Sequence, residues 1–242
     1  MSVMVSLYNE DCMEVLKRLE DGSVDLIATD PPYRITARGN AGSSGGMLLS
    51  KKSLEGKIFN HNDIDCEDYA PEFYRVLKDD THCYIMCNHI NLIHFLNVFT
   101  ECGFHFIKSL IWDKQNKIMG TFYMSQFEYI LFFRKGGGKS INNCGTSDIL
   151  SVPNKKEKDG AGNNLHDTEK PVDLMKILVS NSTDRDDLVL DPFMGIGSTG
   201  IASKELGRNF IGVEIDKKYF DIAKQRIDGV SPFADLCPAS LW

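Results

Sequence analysis

Residues 188–200 read Leu-Val-Leu-Asp-Pro-Phe-Met-Gly-Ile-Gly-Ser-Thr-Gly, an apolar run that ends in a carboxylate and continues through a glycine-rich turn. Gly195, Gly197 and Gly200 match the pattern G-x-G-x-x-G, and Glu214 ends the next apolar run. Glycines let a ligand approach the backbone, a helix start offers N–H donors, and a carboxylate after the next strand can bind ribose hydroxyls. The stretch predicts a strand–turn–helix unit for a nucleoside-containing cofactor, with NAD as one candidate.

Apolar runs alternate with helical spacing along the rest of the chain, as expected for an α/β fold. Seven runs predict strands: Val3–Tyr8, Val24–Thr29, His82–Asn88, Phe106–Trp112, Phe127–Arg134, Leu188–Asp191 and Asn209–Glu214. Between them, Tyr69, Phe73, Val76 and Leu77 share one predicted helical face. Only one strand and one helix can follow the glycine motif, so most of the sheet comes from the N-terminal half. An NAD-binding fold places this loop near its start, and the late position therefore argues against NAD.

The predicted architecture is one Rossmann-like domain over residues 1–228, with a mostly parallel sheet of about seven strands and a circularly permuted motif order. Residues 229–242 are expected to form a C-terminal surface extension. The 242 residues are enough for a complete hydrophobic core. The seven cysteines, the absence of an 18-residue apolar run and the lack of a basic signal-like start predict a cytoplasmic protein without a membrane partner.

A second motif, Asp30-Pro31-Pro32-Tyr33, directly follows the predicted strand Val24–Thr29. Active sites of such sheets lie at the carboxyl ends of the strands. The two prolines restrict the backbone and lack N–H groups, so a carboxylate and a carbonyl can be held there as rigid acceptors. Tyr33 adds an aromatic face. The alternative interpretation is a proline-rich turn with a surface tyrosine.

The charge distribution is uneven. A net charge of −7 argues against a protein that coats nucleic acid through bulk positive charge. Yet basic residues outnumber acidic ones by four in residues 34–57 and again in residues 134–158, and both segments are glycine-rich. They are either solvated loops or segments that face phosphates. The basic residues that could face phosphates are Arg34, Arg38, Lys51, Lys52, Lys135, Lys139, Lys155 and Lys156.

Asp-Pro-Pro-Tyr followed much later by Asp-Pro-Phe-x-Gly-x-Gly resembles the amino-group DNA methyltransferases, and the order of the motifs resembles their β group. The resemblance extends from Asn9 to about Arg226. It implies an S-adenosylmethionine-dependent enzyme that acts on duplex DNA. It also implies that residues 34–62 form a mobile target loop and residues 134–165 a target-recognition insertion.

The resemblance further assigns the cofactor contacts. Asp191–Gly200 would surround the methionine part, Glu214 would bind the ribose, and Asp11 would receive the adenine amino group. Residues 166–171 resemble the family's His-Pro-Thr-x-Lys-Pro segment, with Asp167 in place of the usual proline. The expected cofactor-binding residues are Asp11, Cys12, Asp30, His166, Thr168, Lys170, Asp191, Phe193, Gly195, Gly197, Ser198, Thr199, Glu214 and Ile215.

The implied chemistry is methyl transfer to an exocyclic amine, whose lone pair is delocalised into the base and is therefore a poor nucleophile. In the resembled family, Asp30 and Pro31 would accept its two hydrogens and localise the lone pair on nitrogen. Tyr33 would stack on the base, which must leave the duplex. The expected catalytic residues are Asp30, Pro31, Pro32 and Tyr33.

Several alternatives remain open at this point. Aspartate as the first motif residue favours adenine N6, because the family's cytosine-N4 enzymes more often carry Ser-Pro-Pro-Tyr. Cytosine N4 is the first alternative, followed by an RNA or protein methyltransferase and then by an NAD-dependent oxidoreductase. The resemblance also raises the prospect of a homodimer and of a cognate restriction endonuclease.

No metal site is expected from the sequence. His82, Cys83, Cys87 and His89 are close along the chain, but Cys83 and Cys87 alternate along a predicted strand. No second pair of ligands follows with the spacing of a zinc finger.

Overall fold

The computed structural model describes residues 3–32, 64–118, 122–156 and 169–229. Within these ranges eight strands form one sheet: β1 (Val5–Tyr8), β2 (Val24–Thr29), β3 (Leu77–Cys87), β4 (His105–Ile118), β5 (Ser125–Arg134), β6 (Ile149–Ser151), β7 (Leu188–Asp191) and β8 (Asn209–Val213). The helices are α1 (Cys12–Leu16), α2 (Cys66–Val76), α3 (Leu92–Glu101), α4 (Val172–Ser182), α5 (Ser198–Glu205) and α6 (Lys217–Asp228). The prediction of a permuted α/β fold with a mostly parallel sheet is confirmed.

The strand order in the sheet is β1-β8-β7-β2-β3-β5-β4-β6. Every neighbouring pair is parallel except the two pairs that include β5. The seven strands other than β5 therefore end at the same side of the sheet, called the carboxyl edge below. Asp30, Asp191 and Glu214 each end or directly follow one of these strands, so the topology gathers them at this edge.

Helices cover both faces of the sheet, because neighbouring side chains of a strand point to opposite faces. In β2, Ile27 packs with α2 and α3, whereas Leu26 and Ala28 pack with α4, α5 and α6. All three side chains are fully buried. The middle of the central strand thus has no polar face, which explains its apolar run Leu26–Ala28.

Two details differ from the expectations. Leu77 was predicted on the helical face of α2 but begins β3, where it pairs with Val24 of β2. No strand was predicted in the glycine-rich segment 136–164, yet β6 adds an eighth strand that pairs in parallel with β4. β6 has only three residues and a single buried side chain, Leu150, so its periodicity is too short to detect. No helix in the described ranges has the length and apolar character needed to cross a membrane.

Candidate active site

Asp30 lies at the carboxyl edge directly after β2 and is paired with Lys170, which precedes α4. The Lys170 Nζ contacts Asp30 Oδ2, and the two side chains are only 9% and 22% exposed, respectively. Burial raises the pKa of Asp30, and the adjacent ammonium group opposes that increase. The structure thus brings together two predicted site residues that are 140 positions apart.

The second carboxylate oxygen of Asp30 is in a different situation. Asp30 Oδ1 is buried and accepts no hydrogen bond from the residues that the structure describes. Pro31 and Pro32 follow it and have no N–H to donate. A buried acceptor without a donor is costly, so such an oxygen is suited to receive a hydrogen from a ligand.

A buried chain of charges continues from Lys170 into β5 and β4. Lys170 Nζ lies 3.7 Å from Glu128 Oε2, and Lys114 Nζ lies 2.5 Å from Glu128 Oε1. Burial opposes ionisation of Glu128, but the two ammonium groups hold the pKa of Glu128 below its ordinary value. Lys114 also lies over the Trp112 ring, 5.1 Å from its centroid. Charges alternate in sign along Asp30, Lys170, Glu128 and Lys114, which offsets the cost of burying them.

Lys114 and Glu128 had been assigned no role from the sequence. Glu128 lies within the predicted strand Phe127–Arg134, whereas Lys114 lies two residues beyond the predicted strand Phe106–Trp112. Strand pairing then places them close together, since Trp112 pairs with Glu128 across β4 and β5. Sequence alone does not show that β5 lies between β3 and β4.

Asp191, at the end of β7, uses its carboxylate to join three parts of the site. Its oxygens accept hydrogen bonds from Thr29 Oγ1 and Thr199 Oγ1, both at 2.6 Å, and from the Phe193 N–H at 3.2 Å. Burial raises the pKa of Asp191 to about 6. Asp191 therefore holds the end of β2 and the start of α5 against the glycine-rich turn.

The turn itself requires glycine for conformation and for packing. Gly195 and Gly197 have φ values of +53° and +85°, in the left-handed region that favours glycine. At Gly200, a Cβ atom would lie 2.5 Å from Ile227 Cδ1 of α6. The Ile196 carbonyl accepts a hydrogen bond of 2.5 Å from Arg226 of α6. The motif thus forms a narrow turn fixed from behind by α6.

Glu214 follows β8 and faces the same turn. Its carboxylate accepts hydrogen bonds from the Gly195 N–H at 3.0 Å and from the Asp216 N–H at 2.8 Å. Burial raises the pKa of Glu214 to about 7. Asn9 at the end of β1 donates to the Glu214 carbonyl at 2.8 Å, which joins the ends of β1 and β8. The N-terminal segment and the end of β8 therefore form one wall of the site.

The remaining predicted cofactor residues lie around this wall or outside the described ranges. Asp11 caps α1 by accepting the Met13 N–H at 2.7 Å, and Cys12 behind it is buried. Ile215 is exposed beside Glu214, whereas Ser198 and Thr199 are buried in the first turn of α5. Tyr33, Arg34, Arg38, Lys51, Lys52, His166 and Thr168, and the predicted segments 34–62 and 157–165, lie outside the described residues.

The basic segment 134–156 reaches both edges of the sheet. Lys135 and Lys139 follow β5 at the edge opposite Asp30, because β5 is antiparallel to β3. Lys135 donates to the Leu77 carbonyl at 2.7 Å. Lys139 pairs with Asp184 at 2.9 Å. The expectation that these two lysines face DNA beside the site does not agree with this placement.

Lys155 and Lys156 follow β6 and lie at the carboxyl edge. The Asn154 N–H donates to the Lys114 carbonyl at 3.2 Å, which fixes this stretch beside the buried chain of charges. Lys155 is exposed. These two lysines therefore remain on the side of the sheet that carries Asp30.

Comparison with known proteins agrees with this geometry. A family model described as "DNA methylase", of the N6/N4 type, matches residues 24–225, which include both motifs. The chain belongs to this family. The methylase uses S-adenosylmethionine, and it shares the fold of class I methyltransferases.

Two curated relatives cover nearly the whole methylase. It is 32% identical to Type II methyltransferase M.HinfI of Haemophilus influenzae over 94% of this chain and 69% of that protein. It is 28% identical to Type II methyltransferase M2.MboI of Moraxella bovis over 94% of this chain and 89% of that protein.

Solved structures show the same fold. The M1.HpyAVI–SAM complex has a TM-score of 0.69 and 26% identity, covering 92% of the methylase and 100% of that chain. The cytosine-N4-specific PvuII DNA methyltransferase has a TM-score of 0.73 at 18% identity, covering 96% of the methylase and 90% of that chain. The second likeness concerns the fold alone.

The described residues fit the cofactor. The glycine turn leaves no room for side chains between the backbone and α6, Glu214 presents a carboxylate next to it, and Asp30 presents an oxygen without a donor. A polar site of this form suits a ligand with ribose hydroxyls and a charged amino-acid part.

Proposed function

We propose that the methylase transfers a methyl group from S-adenosylmethionine to the N6 amine of adenine at a specific site in duplex DNA. The base would leave the duplex to reach the carboxyl edge. The observation that carries this proposal is the buried Asp30 Oδ1, which accepts no hydrogen bond from the described part of the chain. An exocyclic amine can donate a hydrogen bond to this oxygen.

Asp30 would act as a fixed, charged acceptor. Lys170 contacts Oδ2 and so favours the ionised carboxylate while Oδ1 stays available. As the amine nitrogen would form its bond to the methyl carbon and the bond from that carbon to the sulfonium sulfur would break, positive charge develops on the amine. An oriented carboxylate stabilises that charge and can receive the proton that the methylated amine then loses. The Pro31 carbonyl is proposed to accept the second amine hydrogen, and Tyr33 to stack on the base.

The cofactor, when bound, supplies a methyl group activated by a sulfonium. We propose that its ribose binds at Glu214 and its adenine at Asp11, which lie in the wall that Asn9 joins at the ends of β1 and β8. Its methionine part would lie along the turn after Asp191. The other proposed contacts are Cys12, Asp30, His166, Thr168, Lys170, Phe193, Gly195, Gly197, Ser198, Thr199 and Ile215.

DNA would approach the carboxyl edge, where Lys155 and Lys156 are the described basic candidates. Arg34, Arg38, Lys51 and Lys52 keep their proposed role in a target loop. Lys135 and Lys139 are not included, since they lie at the opposite edge. A homodimer and a cognate restriction endonuclease are also proposed, the latter because two relatives carry Type II names.

The test is transfer of labelled methyl groups from S-adenosylmethionine to mixed-sequence duplex DNA, followed by separation of the nucleosides. N6-methyladenine is the expected product. Formation of N4-methylcytosine would agree with the same mechanism, because both amines present the same donors to Asp30, but it would show that the target base is cytosine. Label found only in RNA or protein, when these are offered in competition, would contradict the proposal.

A further inference from the structure

A second cluster of reactive side chains lies apart from Asp30, at the first turns of α2 and α3. It consists of Cys66, the first residue of α2, its neighbour Glu67, and His94 in the first turn of α3. Their ligand atoms all lie within 4.8 Å of one another. None of the three was selected from the sequence, because residues 66 and 94 show no zinc-finger spacing.

The three side chains face one another, and Glu67 directs one carboxylate oxygen towards Cys66 and the other towards His94. Cys66 Sγ is 3.2 Å from His94 Nε2 and 3.4 Å from Glu67 Oε2, and His94 Nε2 is 3.4 Å from Glu67 Oε1. Metal–ligand lengths of about 2.0 to 2.3 Å at tetrahedral angles give ligand–ligand separations of roughly 3.3 to 3.6 Å. Cys66 Sγ and His94 Nε2 are already close to this separation, and rotation of the half-exposed Glu67 carboxylate can bring one of its oxygens into the same set.

The ligands are held by a rigid support. Both helices pack on the same face of the sheet, where Tyr69 and Phe73 of α2 contact Phe99 of α3, with ring centroids 6.4 and 6.3 Å apart. All three rings are fully buried. The separation of the first turns is therefore set by the core and not by the cluster, so the ligands are positioned before any cation binds.

Charge and exposure also suit a divalent cation. A thiolate and a carboxylate with a neutral imidazole would balance a charge of +2. This balance is needed because the positive ends of two helix dipoles lie here and would otherwise repel a cation. The side chains of His94 and Glu67 are 50% and 55% exposed, which leaves a cation access and a fourth position for water. Mixed sulfur, nitrogen and oxygen ligands favour zinc over magnesium or calcium.

We propose that Cys66, Glu67 and His94 bind a zinc-class divalent cation that links the first turns of α2 and α3. This site is separate from methyl transfer, because Asp30 and its ion pairs supply none of its ligands. The cation would stabilise the start of α2, the first helix after the catalytic motif in the described part of the chain. The competing interpretation is a hydrogen-bonded triad without affinity for metal.

The test is titration of the tag-free full chain, first stripped with chelator, with Co²⁺ and then with Zn²⁺. One equivalent of Co²⁺ is expected to give a sulfur-to-metal charge-transfer band and the visible bands of a tetrahedral ion, and Zn²⁺ should abolish both. Excess Zn²⁺ should raise the Tm by about 5 °C.

Variants of single residues test which side chains bind the cation. Cys66→Ser should remove the charge-transfer band, and His94→Gln should weaken Co²⁺ binding by more than about tenfold. Cys144→Ser and His105→Gln are matched controls elsewhere in the fold and should leave the titration unchanged. Absence of stoichiometric binding, or a band that survives Cys66→Ser, would overturn the proposal. Because metal binding is measured directly, neither result depends on DNA methylation.

Discussion

The two edges of the sheet use ion pairs in different ways. At the carboxyl edge, Asp30, Lys170, Glu128 and Lys114 form a connected chain in which every side chain is at most 24% exposed. At the opposite edge, Lys139 pairs with Asp184 through side chains that are 44% and 67% exposed. The number of ion pairs at an edge therefore does not show how strongly those pairs constrain the structure, unless the burial of their side chains is also considered.

The difference has an energetic reason. An exposed pair contributes about 0.2–1 kcal/mol, because water solvates either partner once the other is lost. A buried pair adds little net stability, yet removal of one partner leaves an uncompensated charge and costs about 3–5 kcal/mol. The carboxyl edge is thus rigid in its charge arrangement, which a site that orients a reacting amine requires. The exposed Lys139–Asp184 pair has no such constraint.

The largest effect is expected for Asp30→Asn, which removes the charge of the acceptor with little change in shape. Methyl transfer should fall about a thousandfold, since the amide does not stabilise developing positive charge. Single-turnover transfer to duplex DNA measures the effect. Asp184→Asn is the matched control at the opposite edge and should keep the wild-type rate. A loss smaller than tenfold in Asp30→Asn would contradict the proposed functional difference, in which the carboxyl edge acts in methyl transfer and the opposite edge does not.

Glu128→Gln tests whether the buried chain acts as a unit. The change leaves the Lys114 ammonium without its carboxylate and should lower the free energy of unfolding by about 3 kcal/mol. Denaturant unfolding measures the loss. A double variant, Glu128→Gln with Lys114→Met, removes the uncompensated charge and should recover a large part of it. Equal stability of the single and double variants would show that the two residues are not coupled.

The raised pKa of Glu214 predicts that cofactor binding depends on pH. Its pKa is raised by burial to about 7, so the carboxylate becomes fully ionised only above that pH. The ionised form accepts ribose hydroxyls better, and S-adenosylmethionine should bind roughly tenfold more tightly at pH 8 than at pH 6. Calorimetric titration at both pH values measures this, and Glu214→Gln should flatten the profile. An unchanged profile in the variant would assign the dependence to another group.

The same group affects stability with the opposite sign. A carboxyl whose folded-state pKa lies above its unfolded value binds its proton more tightly when folded. Its contribution is therefore present at low pH and is lost as the pH rises through about 7. Without cofactor, Glu214→Gln should reduce the fall in Tm between pH 5 and pH 8, and Asp191, whose pKa is raised to about 6, should account for the part of the fall that is left. A wild-type Tm that does not fall over that range would contradict the assignment.

The smallest effect is expected for single surface lysines. Lys155→Gln at the carboxyl edge should weaken DNA binding a few-fold and lower the slope of log affinity against log salt by about 1. Lys139→Gln at the opposite edge should leave both quantities unchanged. Fluorescence titrations at several salt concentrations separate the two. Equal effects would mean that DNA contacts both edges, or that neither lysine contacts it.

The sequence predicted the architecture well where the signals are local. The run before Asp30 and the run before the glycine turn were both placed correctly as strands, because buried parallel strands are continuously apolar. β6 was not predicted, since three residues carry too little periodicity. Leu77 was predicted in α2, because an apolar residue at the end of a helix and one at the start of a strand look the same in sequence.

By itself, the sequence determined the α/β class, the permuted order of the motifs and the membership in a methyltransferase family. These depend on backbone propensities, on burial periodicity and on short motifs, all of which act over a few residues.

Only the tertiary structure decided which charged side chains lie in contact. Lys170 reaches Asp30, Glu128 reaches Lys114, and Cys66 reaches His94 through the order of strands and the packing of helices. It also divided one basic segment between two edges, because β5 runs antiparallel to its neighbours. Contacts between distant residues follow from strand order, and strand order is not contained in any local pattern.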